Sequence, residues 1–143
     1  MYPLAHLAAS LLLNEASRGD RASAAAGAVA PDLVDKTLAW VLGVTPSGRF
    51  AAHSLVGATA LTLTVARVAG PRRGASFGAS YLCHLAADLF GGGRVPWLMP
   101  FKKYEFSARR WDLELTWQGL GLELVAMLLL TRLAARWAAE ERP

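Results

Sequence analysis

The chain carries a single cysteine, Cys83. That excludes an intramolecular disulfide framework and any cysteine-rich zinc module. Charge is also scarce. Only 18% of the 143 residues are Asp, Glu, Lys or Arg, below the usual ~25%, which excludes a disordered, solvated chain. Strand signals are missing: β-branched residues are sparse and no stretch alternates with period two. There is no internal repeat and no long linker, so residues 1–143 read as one domain. The first apolar run lacks a basic flank, and no clear cleavage site follows Arg18-Gly-Asp-Arg21. It is therefore expected to remain as a membrane helix rather than leave as a signal peptide. The net charge of +4 is modest and the arginines are scattered between apolar runs. No nucleic-acid partner is expected; an anionic lipid surface suits such arginines better.

What the chain does have is apolar sequence, 54% of the total. Met1–Asn14, Phe50–Ala66 and Gly74–Ala87 carry no formal charge, and Leu115–Thr131 is broken only by Glu123. Phe50–Ala69 and Leu113–Leu133 approach the ~20 residues that cross a bilayer. The expected fold is all-α: a compact, membrane-embedded bundle of about five helices, placed in the cell membrane as a multi-pass or deeply embedded protein. The helices are expected at Pro3–Ser17, Ala22–Ala30 (stopped by Pro31), Phe50–Ala69, Gly74–Phe90 and Asp112–Trp137. A further stretch, Asp32–Val44, is expected to begin anew after Pro31. Thr45-Pro-Ser-Gly48 reads as a turn and Gly91-Gly-Gly93 as a helix stop. In the fourth helix Gly74 and Gly78, Ala75 and Ala79, and Ser76 and Ser80 repeat at four-residue spacing. Small residues so spaced let helices approach closely in lipid.

Chemistry-bearing residues are few, and their placement is informative. His84 and Asp88 are four apart, on one helical face. Asp32 and Asp35 follow Pro31. His53 lies near the start of the third helix and His6 in the first turns of the first. If the helices alternate in direction, His6, Asp32, Asp35, His53, His84 and Asp88 all fall at one end of the bundle. Ionisable groups in apolar helices are costly and tend to mark function. Imidazole and carboxylate together suit a divalent metal, zinc first and manganese or iron next. The bland reading of each piece is a satisfied core histidine, a local hydrogen bond or a helix cap; only the convergence favours a metal site.

Other constellations are excluded. Ser54 adjoins His53 and Cys83 adjoins His84, but neighbours on a helix point apart, so neither makes a nucleophile pair. Gly91–Gly93 lacks the spacing and the preceding strand of a dinucleotide loop.

The sequence resembles a family of small bacterial and archaeal membrane-bound, metal-dependent hydrolases. The resemblance rests on Pro3-Leu-Ala-His6-Leu, Gly27-Ala-Val-Ala-Pro31-Asp32-Leu-Val-Asp35-Lys36, Ser47-Gly-Arg49, Ala52-His53-Ser54-Leu55, Tyr81-Leu-Cys-His84-Leu-Ala-Ala-Asp88 and Trp97-Leu-Met-Pro100-Phe101. It covers residues 1 to about 106; the last helix matches only in being apolar. It implies a helical membrane protein and carries a ligand or catalytic role to His6, Asp32, His53, His84 and Asp88. Relatives commonly place the second aspartate two residues after the first, where here it is three. They also carry a histidine at the position of Gly48 and a threonine at that of Ala52. The His-x-x-x-Asp pattern is loosely similar to that of the zinc phospholipase C group.

On this reading His6, Asp32, His53, His84 and Asp88 hold the metal. Asp35 (or Asp32) takes a proton from water, and Arg49, one helical turn from His53, binds an anionic phosphoester such as a lipid headgroup. Two rivals stand beside it. A structural His/Asp cluster would pin helices without catalysis. A small transporter or accessory subunit would spread its charges through the bundle depth, and Glu123 in the last helix is the one charge that fits that pattern.

Overall fold

Short-range signals set most helix ends in the computed structural model, which describes residues 3–90, 94–106 and 116–140. Helix α1 spans Pro3–Ser17, with proline in its opening turn, where a missing N–H costs little. Helix α2 spans Arg21–Lys36 and is capped by Asp20, whose carboxylate accepts from the Ser23 amide at 2.9 Å. Helix α3 spans Leu55–Ala69 and ends at Gly70, whose φ of 96° is open to glycine. Helix α4 spans Pro71–Phe90 and α5 spans Trp117–Glu140. Among the described residues there is no strand, so the protein is an all-helical bundle.

Several boundaries differ from expectation. Pro31 does not stop the second helix. It sits buried inside α2, which runs on to Lys36 and then into a π-helical turn, Thr37–Val41. Proline cannot donate to the carbonyl four residues back, which weakens the turn without ending it when tertiary packing holds both halves. Here α2 packs along α4. A Cβ added to Gly27 would lie 2.2 Å from the Phe77 carbonyl oxygen, so the backbones are nearly in contact. The third helix starts at Leu55, not Phe50. Ser54 caps it, accepting from the Gly57 amide at 3.0 Å and donating to the Ala51 carbonyl at 2.6 Å. The fourth helix begins three residues early, with Pro71 in its opening turn. Helix α5 continues to Glu140; the expected start at Asp112 lies outside the described residues, as does Gly91-Gly-Gly93.

Helix α4 is the hub, packed against α1, α2 and α3, while α5 lies along α1. One core gathers Ala58, Phe77, Tyr81, Leu85 and Val95; a second, under α5, joins Leu11, Ala24 and Leu133. The three pairs of small residues in α4 lie on three different faces. Gly74 and Gly78 abut Ala66 and Thr62 of α3. Ser76 accepts from the Asp20 amide at 2.8 Å, and the Ser80 carbonyl accepts from Ser10 at 3.2 Å. Ala75 and Ala79 are exposed.

The helices alternate in direction throughout, so α5 runs parallel to α1. The start of α5 brings Glu123 to the amides of Leu4 and Ala5, and its finish brings Glu140 to Arg21 at 2.5 Å. Most of the apolar side chains of α5 are exposed, among them Leu122, Leu124, Val125 and Leu128. Trp117 and Trp137 lie near its two ends, ~30 Å apart at ~1.5 Å per residue, the thickness of a bilayer core. By length and composition α5 is the one described helix able to cross a membrane.

Candidate metal centre

Four separate stretches converge at the end of the bundle where α1 begins and α4 finishes. Helix α1 supplies His6 and α2 supplies Asp32 and Asp35. The loop before α3 supplies His53, and α4 supplies His84 and Asp88. The His6 and His84 rings are 4.6 Å apart and the His53 and His84 rings 5.6 Å apart, centroid to centroid.

Each imidazole is oriented from behind. His84 Nδ1 lies 2.7 Å from the Ala28 carbonyl oxygen. A carbonyl only accepts, so Nδ1 carries the proton and Nε2 is left with its lone pair. His53 Nδ1 lies 2.8 Å from Asp35 Oδ2, which turns its Nε2 inward in the same way. Asp35 is fully buried and also accepts from the amides of Phe50 (2.6 Å), Ala52 (3.0 Å) and His53 (3.0 Å). These bonds draw residues 50–53 into a turn, which is why the helix cannot begin at Phe50. Tyr81 secures the same turn, donating to the Ala52 carbonyl at 2.5 Å.

The inward atoms form a tight set. His6 Nε2 is 3.3 Å from Asp88 Oδ1. His53 Nε2 is 3.4 Å from both Asp32 Oδ1 and Asp88 Oδ2. His84 Nε2 is 3.9 Å from each of those oxygens. A tetrahedral cation with ~2.1 Å bonds has its donor atoms ~3.4 Å apart, so the set has coordination spacing. The buried atoms His53 Nε2, His84 Nε2 and Asp32 Oδ1 have no hydrogen-bond partner among the described residues. Leaving a polar atom so costs about 1–3 kcal/mol. In two overlapping triads, His6–His84–Asp88 and Asp32–His53–His84, the candidate ligand atoms lie within 4.8 Å of one another, and the triads share His84.

Cations stand behind two of the carboxylates. Arg49 grips Asp88 with two hydrogen bonds, Nε to Oδ2 at 2.9 Å and Nη2 to Oδ1 at 3.1 Å. Lys36 pairs with Asp32 Oδ2 at 2.6 Å, the i, i+4 partner that the sequence spacing offers. Burial disfavours a charged His53 ring, but Asp32, Asp35 and Asp88 outweigh it and push the imidazole up to about 10. Beside the cluster lies a groove of about 430 Å³, walled by Pro3, Val29, Leu33 and Trp40 and opening on His6, Asp32 and His84.

A family model described as YdjM inner membrane protein matches residues 3–142. The chain belongs to the YdjM inner membrane protein family. The match extends the relationship across α5, beyond the residues 1 to about 106 that the motifs alone cover. No curated protein and no solved structure matches the chain. Membership of the YdjM family establishes an inner membrane protein and says nothing of hydrolysis.

Within this YdjM-family chain, some functional groupings escape the sequence. Arg49 is not one helical turn from His53, because residues 49–53 are not helical; it reaches Asp88 across the bundle instead. Glu123 is not part of a charge path through the bundle. Its carboxylate accepts from the Leu4 and Ala5 amides at 3.2 and 3.3 Å, capping the helix that carries His6. The signal for that was present: a lone acid in an apolar helix, and an α1 whose first turn has no acid of its own.

Proposed function

We propose that this protein is a membrane-embedded, metal-dependent hydrolase acting on a phosphoester at headgroup depth. The observation that carries the reading is the set of buried donor atoms, His53 Nε2, His84 Nε2 and Asp32 Oδ1, left without hydrogen-bond partners at coordination spacing. His6, Asp32, His53, His84 and Asp88 would hold a divalent cation, zinc being the best fit to imidazole and carboxylate donors. When bound, such an ion acidifies a coordinated water toward a pKa of ~7 and polarises a phosphoryl oxygen.

The protein's own residues divide the remaining work. Asp35 holds the His53 loop through four acceptor contacts, so it is a positioning residue rather than a free base. Asp32 keeps one oxygen on Lys36 and turns the other into the cluster, so Lys36 orients it as a ligand. Arg49 neutralises Asp88 and sits where an anionic substrate would gain from it. The apolar groove between α1 and α2 suits the non-polar part of an amphiphile, with its ester at the His/Asp end.

The test is metal content by elemental analysis of the purified full chain, with turnover of a soluble phosphodiester. Wild type should carry about one or two divalent ions and lose turnover on chelation. His84→Ala should lose both, since that ring belongs to both triads. Equal metal in wild type and His84→Ala would end the reading. A second reading, a cluster that only pins helices, draws on the pairing of Asp88 with Arg49 and of Asp32 with Lys36. Bound metal without turnover of any phosphoester would favour it.

A further inference from the structure

The opposite end of the bundle carries a second, differently built cavity. It holds about 810 Å³ between the α1–α2 turn and the α3–α4 turn, and Arg18, Arg21, Arg72 and Arg73 line it beside Glu15 and Asp20. Both acids are already committed. Glu15 accepts from Arg21 Nε at 2.9 Å, and Arg21 also reaches Glu140 and stacks on Trp137 of α5. Asp20 caps α2 through the Ser23 amide and hydroxyl, at 2.9 and 2.6 Å, and meets Arg73 only at 3.8 Å. Four lining arginines against these two acids leave a net positive charge around the opening.

The two turns are tied to each other. Arg72 donates to the Arg18 carbonyl at 3.0 Å, and Ser76 accepts from the Asp20 amide at 2.8 Å. Arg18 has a φ of 54°, the left-handed region that a glycine or asparagine fills without strain. An arginine stands there against the backbone preference, and strain of this kind goes with function. Exposed apolar side chains lie on the helix that ends at the cavity. Leu63 and Val68 of α3 are 59% and 84% exposed, and Ala69 and Gly70 belong to the cavity wall.

We propose that this cavity binds the phosphate of an acidic phospholipid whose acyl chains lie along α3. Guanidinium groups recognise phosphate through paired hydrogen bonds. The cytoplasmic leaflet supplies acidic lipids, and arginines at a helix end are drawn to it. The site is separate from the His/Asp cluster and stands whether or not that cluster is catalytic.

Native mass spectrometry of the full chain in detergent tests it, with short-chain phosphatidylglycerol, phosphatidylcholine and inorganic phosphate as probes. Phosphatidylglycerol should bind at least about fivefold more tightly than phosphatidylcholine. Arg18→Gln with Arg73→Gln should weaken it about 25-fold, at about fivefold per arginine. Lys102→Gln with Lys103→Gln, an equal charge change in the loop at the other end, should leave it unchanged. Equal binding of the two lipids overturns the proposal, as does equal loss in both double variants. Inorganic phosphate binding as tightly as phosphatidylglycerol makes it a free-anion site and overturns the lipid assignment. If the arginine variant fails to fold, the three-probe comparison on wild type still decides.

Discussion

The two ends of this bundle use the same kinds of interaction under opposite solvent conditions. At one end Asp35 is fully buried and accepts from three backbone amides and an imidazole. At the other, Asp20 also accepts from a backbone amide and a side chain, but its own side chain is 29% exposed. Water can replace what Asp20 offers and cannot replace what Asp35 offers. The contrast extends to the cations. Arg49 is almost enclosed against Asp88, whereas Arg73 is largely exposed and lies at long range from Asp20. Buried pairs fail expensively when one partner is removed, and exposed pairs contribute little.

Substitutions can break or sharpen that comparison. The largest effect is expected from Asp35→Ala. It strands the amides of Phe50, Ala52 and His53 and releases the His53 ring. We expect a loss of about 4 kcal/mol in chemical unfolding of the detergent-solubilised protein. A loss under ~1 kcal/mol would mean the loop is held by something else.

Next comes Arg49→Met, which leaves Asp88 buried without its guanidinium. A loss of about 3 kcal/mol is expected in the metal-free protein. Added divalent cation should recover much of it, since a bound ion replaces the missing charge and binding to the native state stabilises it. Absence of recovery would argue that the cluster does not bind metal.

Asp20→Ala should cost least, about 1 kcal/mol, the usual worth of a helix N-cap. Its pH dependence has a defined sign. Hydrogen bonds from the Ser23 hydroxyl and amide hold the Asp20 carboxyl below its ordinary value. The stabilisation is therefore present above the unfolded pKa of ~3.9 and lost as pH falls through the lower folded value. A difference between wild type and Asp20→Ala that grew on acidification would contradict this cap.

Much of the fold was legible because helical patterning is local. The limits of α1 follow from Pro3 and the polar turn after Ser17, and the end of α3 follows from Gly70-Pro71. The gathering of three histidines and three aspartates was legible too, because alternating helices fix which end each residue reaches. Less legible was what each group does there. Asp35 and Asp32 look alike in Asp-Leu-Val-Asp, yet one is enclosed by loop amides and the other is shared between Lys36 and the cluster. Pro31 looked like a stop because local rules weigh a missing hydrogen bond but not the packing of α2 on α4. The early start given to the third helix has the same origin, since the apolar run over Phe50–Ala52 hides a turn imposed by Asp35 from the preceding helix.

The amino-acid sequence by itself determined a helical membrane protein with its imidazoles and carboxylates collected at one end. Periodicity, chain reversals and charge placement are properties of neighbouring residues. The tertiary structure alone decided which oxygen meets which nitrogen: Arg49 on Asp88, Glu123 on the amides of α1, Arg72 on the carbonyl of Arg18. Those partners come from helices or turns tens of residues apart, and only packing brings them within hydrogen-bond reach.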